Sequence, residues 1–176
     1  MIRNVIVTVL ISGGVALTVT GCGAGAEAKQ HVARRTPHSS PTSTQDAALA
    51  AYRGMWTAYA SATNAGTATS TELSTYAAGD ALRDLVKLLR NEQQKHIVTR
   101  GRPVLNPSVA SMSYKGRPGV IRIVDCTSDR GWLRYHTNGE PVDDKPGGRH
   151  HAEALVQRSD GAWKVNQFFV EGPGTC

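Results

Sequence analysis

The sequence predicts an α+β domain, with three N-terminal helices packed on a curved antiparallel sheet of four to six strands. Three observations carry this expectation. Apolar residues between Leu49 and Leu89 recur at helical spacing. After Gly101 the composition shifts to runs of β-branched and aromatic residues. Turn dipeptides such as Asn138-Gly139 and Asp160-Gly161 separate those runs. Helices followed by antiparallel strands leave the helices segregated on one face of the sheet.

The first helix opens at Ser43-Thr44-Gln45-Asp46, an N-cap with an acid in the first turn. Leu49, Tyr52, Trp56 and Tyr59 share one face, and Asn64-Ala65-Gly66 stops the helix. A short second helix starts at Thr71-Glu72, runs through Leu73 and Tyr76, and ends at Gly79. Asp80 caps a third helix, whose buried face is Leu82, Leu85, Val86 and Leu89. Arg83, Lys87 and Arg90 line its opposite face and read as the solvated side of a surface helix.

Five strands are expected: 104–114, 119–127, 132–136, 151–158 and 163–171. Lys115–Gly119, Ser128–Gly131 and Pro146-Gly147-Gly148 supply the remaining turns. Residues 46–176 therefore form one domain, of a size that supports one core.

Ahead of the domain stand Arg3, an apolar run from Val5 to Val19, and Val19-Thr20-Gly21-Cys22. A membrane-spanning helix needs ~20 apolar residues, and this shorter run, ending in small residues, fits a cleaved signal. Val-Thr-Gly-Cys resembles the lipobox of bacterial lipoproteins. The resemblance implies a signal peptide over residues 1–21, cleavage after Gly21, and a diacylglyceryl thioether on Cys22, with palmitate among the acyl chains. Two chains make a stable anchor where one does not. An ordinary signal with an incidental Cys is the alternative. Arg34-Arg35 follows the apolar run, so a twin-arginine signal is not indicated.

Residues 22–45 are then a lipidated Cys and a disordered tether, because Val32 is the only large aliphatic after Cys22. As a flexible coil the tether spans ~26 Å. The expected location is the extracytoplasmic face of the cell membrane. Lys29, Arg34 and Arg35 would be drawn to anionic headgroups by ~1 kcal/mol each, or serve solubility alone.

The formal net charge of +6 is spread rather than clustered. Nucleic-acid binding needs a basic stripe with interleaved aromatics and is not expected. The expected partners are the membrane, through lipid on Cys22, and a protein at the cell surface. No cofactor or metal is expected. Of the three cysteines, Cys126 and Cys176 remain after Cys22 is lipidated, and in an oxidising compartment a disulfide is the economical reading. Closing a loop of about 50 residues contributes ~4 kcal/mol in the chain-entropy picture.

Several stretches resemble a group of actinobacterial secreted lipoproteins of unknown function. They are Ala51-Tyr52-Arg53 with Trp56, Tyr76 to Leu82, Val124-Asp125-Cys126 with Trp132, Pro141 to Asp144 with Pro146 to His150, and Gly174-Thr175-Cys176. The order of elements is similar to the nuclear-transport-factor-2-like cone, shared with SnoaL-type cyclases and ketosteroid isomerases. The resemblance implies that fold and the Cys126–Cys176 bridge, and no activity.

Three ionisable residues are candidates for a catalytic group on the cone floor: Asp125, His136 and His151. A carboxylate facing an apolar cone has a raised pKa and can act as a base. Otherwise Asp125 pairs at the sheet rim with Arg122 or Arg149. His150 and His151 are adjacent on a strand and face opposite ways, so they cannot hold one metal, although one of them could face the cone. Asp143-Asp144 lacks the alternating acids of an EF-hand loop and fits turn chemistry. Ser108, Ser111 and Ser113 have no nucleophile-elbow context.

Tyr52, Trp56, Tyr59, Tyr135, Trp163, Phe168 and Phe169 either line a pocket or fill the core, with Tyr52, Trp56, Tyr59 and Phe169 the candidate pocket residues, and the expectation is a cone plugged by side chains such as Trp56 and Phe169. The function expected is a membrane-anchored, non-enzymatic binding or assembly module. The alternatives are a small SnoaL- or isomerase-type enzyme and a small-ligand carrier.

Overall fold

The computed structural model describes residues 41–69, 71–114, 119–144 and 147–176. The expected signal peptide, Cys22, the tether as far as residue 40 and the turn residues 115–118 lie outside the described residues. Three helices come first: α1 (Pro41–Ala65), α2 (Leu73–Tyr76) and α3 (Gly79–Gln94). Six strands follow: β1 (Ile97–Gly101), β2 (Ser108–Ser113), β3 (Val120–Ser128), β4 (Trp132–His136), β5 (Arg149–Ser159) and β6 (Ala162–Val170). The class is α+β, with helices packed on antiparallel sheet.

α1 begins at Pro41, ahead of the Asp46 start expected for the domain. Its buried face alternates small and large residues, with Ala48, Ala51, Ala58 and Ala62 set among Tyr52, Met55 and Trp56. The alanines bring the helix close, and the large side chains fill the space between. Gly54 has the same effect sideways, because a Cβ there would overlap the Tyr76 ring. α2 is a single turn. The chain then extends so that Ala77 bridges Val165 and the Ala78 N–H donates to Val165 O at 2.9 Å. Gly79, with φ of 56°, therefore opens α3 rather than ending α2. Asp80 sits in the first turn and pairs with Arg83, and the N-cap position is Ala78. Arg83, Lys87 and Arg90 are exposed.

The main sheet has the order β2-β3-β5-β6, antiparallel throughout, and β1 pairs with β4 in a second, two-stranded sheet. β1 lies ahead of Gly101, where the sequence reading placed no strand. His96, with φ of 55°, reverses the chain directly after α3, and Ile97 and Thr99 turn inward. The strand expected from Val104 is shorter, because Pro103 and Pro107 have no N–H to donate. Val104 makes only an isolated bridge to Ser128, and β2 starts at Ser108.

Bulges interrupt β2 at Val109/Ser111 and the β5–β6 pairing at Leu155/Val156. A bulge bends its strand and changes which residues face inward beyond it. Val165 faces the core opposite Val156, while beyond the bulge Phe168 does so opposite Ala154. Among the described residues, no helix is long and apolar enough to cross a membrane.

Candidate functional site

Between the helices and the sheets lies a cavity of about 270 Å³. Trp56, Tyr59 and Thr63 reach it from α1, at successive turns of one helical face. Leu85, Leu88 and Glu92 reach it from α3 with the same logic. Trp132 and Arg134 come from one face of β4, and Phe168 and Val170 from one face of β6.

Four rings make the wall, and all meet edge to face. Trp56 contacts Phe168 at 5.3 Å, Trp132 at 5.9 Å and Tyr59 at 6.4 Å, and Tyr59 contacts Trp132 at 5.9 Å. Edge-to-face pairs add ~0.5–1.5 kcal/mol each beyond area burial. The cluster therefore holds its walls without collapsing into the space between them. The cone is lined by Trp56 rather than plugged. Phe169, the other expected plug, is 61% exposed on the outer face of the sheet. The β5–β6 bulge moves the inward position by one residue, to Phe168.

The charged groups and threonine hydroxyls around the cavity have polar neighbours, while the Trp56 and Trp132 indole N–H groups are buried without an acceptor among the described residues. Arg134 donates twice to the Glu92 carboxylate, at 2.9 and 3.0 Å. Thr99 Oγ1 donates to Thr63 Oγ1 at 2.7 Å, and Thr63 donates to Ala60 O at 3.0 Å. His150 faces the cavity. Its Nδ1–H donates to Glu171 O at 2.9 Å, and its Nε2 lies 3.1 Å from Asp129 Oδ1 without full hydrogen-bond geometry. Asp129 Oδ1 is fixed in turn by the Gly148 N–H at 2.6 Å. Tyr59 differs from these. Burial pushes its phenol up to about 12, the Glu92 carboxylate adds to the shift, and Arg134 opposes it.

Asp125 also faces inward, and so does every second residue of β3 from Ile121 to Thr127. It does not line the cavity. It is 3% exposed, accepts from Tyr52 Oη at 3.0 Å, and accepts from the Asn106 N–H at 2.7 Å. Burial raises its pKa, and the Asn106 and Tyr52 donors pull the other way. The rim pairing with Arg122 or Arg149 does not form. Arg122 pairs with Glu153, and Arg149 Nε donates to Cys126 Sγ at 3.2 Å. Tyr52 is fully buried against Asp125 and is not a cavity residue. Burial lifts its phenol far above the ordinary range, and the nearby Trp56 indole partly offsets that.

His151 points away from the cavity, 3.2 Å from Glu153 Oε1. His136 ends β4 and does not reach the cavity either. Strand alternation had allowed one of the paired histidines to face inward, and that residue is His150. The contributions of Trp132, Arg134 and Glu92 had no comparable signal in the sequence. They are brought together by β4 pairing with β1 instead of joining the main sheet.

Cys126 and Cys176 stand at bonding distance, S–S 2.05 Å with Cα atoms 5.9 Å apart. The last residues lie along β5, where Gly174 N–H donates to Arg149 O at 2.7 Å and His151 N–H to Thr175 Oγ1 at 2.8 Å. Among the described residues, no group of three His, Cys, Asp or Glu is placed to hold a metal ion.

No protein-family model matches the chain, and no curated protein matches it. It is similar to several solved structures at low identity. One is the intermembrane space region of the chloroplast protein ARC6, with 15% identity, TM-score 0.43, and coverage of 71% of this chain and 96% of that chain. A second is a protein described as a scytalone dehydratase from Novosphingobium aromaticivorans, with 14% identity, TM-score 0.42, and coverage of 74% and 87%. A third is a domain of unknown function with a cystatin-like fold from Nostoc punctiforme, with 9% identity, TM-score 0.39, and coverage of 75% and 79%. Likenesses at this level speak to no activity.

Proposed function

We propose that the chain is an extracytoplasmic lipoprotein, anchored to the cell membrane through lipid on Cys22, whose cone domain binds a small apolar ligand. One observation carries the binding part: a cavity of about 270 Å³ stays open behind a wall of four edge-to-face rings. Ligand sites are concave, mostly apolar and few per protein. An open cavity favours ligand binding over a purely scaffolding role.

A second reading, a small isomerase-type enzyme, is favoured by His150, which borders the cavity beside Asp129. Against it, His150 Nε2 is buried and faces the Asp129 carboxylate at 3.1 Å rather than open cavity space.

The test is calorimetric titration of the full chain in detergent with indane, a neutral bicyclic hydrocarbon. Saturable binding is expected. It should be lost in Leu88→Trp, which fills the cavity from a half-exposed position. Absence of binding would remove the ligand reading. The anchor is tested separately: Cys22→Ser should release the protein from membranes or leave it unprocessed. Intact-mass data placing an unmodified mature N-terminus at another residue would remove that part.

A further inference from the structure

The cavity's own polar chemistry narrows the ligand. A charged ligand would have to find an uncommitted countercharge, and both candidate charges already face a partner. Arg134 spends two donors on Glu92, and Asp129 Oδ1 accepts the Gly148 N–H with His150 Nε2 3.1 Å away. Opening either pair for a ligand leaves a charge facing the apolar wall without its partner, which costs more than the new contact returns. The threonine hydroxyls at Thr63 and Thr99 are bonded to each other and to the backbone of α1.

Three donors on the ring wall lack an acceptor among the described residues, and one of them is a hydroxyl. Tyr59 lines the cavity, and its Oη has no hydrogen-bond partner among the described residues. A phenol whose ionisation is pushed up to about 12 stays a donor throughout the physiological range. Its ring neighbours Trp132 and Trp56 each carry a further donor, Nε1–H, that is buried without an acceptor. By contrast Tyr52, two turns earlier on the same helix, gives its hydroxyl to Asp125. The wall of the cavity thus offers donation and no free charge. Size adds a bound: a dry cavity of ~150 Å³ takes one benzene ring, so 270 Å³ takes about two fused rings.

Resting on the binding reading above, we propose that the cavity accepts a neutral, largely hydrocarbon ligand of about two fused rings bearing one hydrogen-bond acceptor, a carbonyl or ether oxygen, which takes the proton of Tyr59 Oη. The hydrocarbon part packs against Trp56, Phe168, Leu85 and Val170. The oxygen faces the Tyr59 side, where a purely hydrocarbon ligand would leave the hydroxyl without an acceptor.

The experiment compares three probes of one skeleton on the full chain in detergent by calorimetry: indane, 1-indanone and indane-1-carboxylate. The wild type is expected to bind indanone about 3- to 10-fold more tightly than indane, the worth of one net hydrogen bond. The carboxylate should be the weakest of the three. In Tyr59→Phe the preference for indanone over indane should vanish. Equal binding of indane and indanone by the wild type overturns the inference while leaving the binding reading intact. So does a carboxylate that binds tightest, or an indanone preference that survives in Tyr59→Phe. If none of the three binds, the binding reading itself fails, and that outcome is distinct from the others. The wild-type ladder decides the ligand class even where the variant folds poorly.

Discussion

Tyr52 and Tyr59 sit on one face of one helix, and their environments have opposite consequences. Tyr52 is sealed: its hydroxyl donates to the buried Asp125, whose other oxygen takes the Asn106 N–H. Tyr59 stands at an open cavity with no partner for its hydroxyl. Phe168 divides the two regions, with its ring 6.3 Å from Tyr52 and 5.3 Å from Trp56. Burial raises the phenol pKa on both sides, so burial alone does not separate them. The difference is satisfaction. A polar group that has its partners belongs to the framework, and one with no protein partner is available to something from outside.

The largest expected effect comes from the bond beside the sealed region. Cys126 follows Asp125 on β3 and points to the opposite face, where it ties down the C-terminal residues. Those residues supply Glu171 O, the acceptor for His150 at the cavity. Cys126→Ser and Cys176→Ser should each cost ~2–5 kcal/mol. The double mutant should be no worse than either single, because both remove the same bond. Urea unfolding measures all three. Free-thiol titration finding two reactive thiols in the oxidised protein would sink this prediction.

Next comes the sealed pair itself. Asp125→Ala strands Tyr52 Oη–H and the Asn106 N–H, two buried donors, and should cost ~2–4 kcal/mol. The pH dependence sharpens this. The folded pKa of Asp125 is raised, mainly by burial. Its stabilising contribution is therefore complete below the ordinary carboxylate range, near pH ~4, and is lost as pH rises through the raised folded value. Asp125→Asn is never ionised and escapes that loss. Relative to wild type, the Asn variant should gain stability as pH increases over that window. A wild-type-minus-variant difference that stays flat with pH would mean that the Asp125 environment does not disfavour the charge.

Much of this contrast was legible in the sequence, and the part that was not has physical causes. Helical spacing put Leu49, Tyr52, Trp56 and Tyr59 on one face, because nearly three turns of a regular period average out local noise. The sequence could not say which of them would find a partner, since Asp125 and Glu92 come from distant elements. β1 has no turn signal ahead of it, because a single residue, His96, reverses the chain between α3 and the strand. Strict alternation from Val165 would turn Phe169 inward. The bulge at Leu155/Val156 changes the parity, and nothing in the local composition announces a bulge. His150 and His151 show the same limit: alternation says that one faces inward, and only the register says which.

The smallest expected effect is the most discriminating. Tyr59→Phe removes a hydroxyl that bonds nothing in the protein, so the ring contacts with Trp56 and Trp132 survive and stability should change by less than ~0.5 kcal/mol. Tyr52→Phe, the same chemical change two turns away, takes a donor from a buried carboxylate and should cost ~1–3 kcal/mol. Alkaline titration gives a second handle. With its phenol raised to about 12, Tyr59 contributes stability that is intact below the ordinary tyrosine value near ~10 and is lost between there and the raised value. Tyr59→Phe should flatten that loss while leaving neutral-pH stability almost untouched. Should Tyr59→Phe instead cost as much as Tyr52→Phe at neutral pH, its hydroxyl would be spoken for within the fold. The distinction between a sealed tyrosine and a receptive one would then collapse.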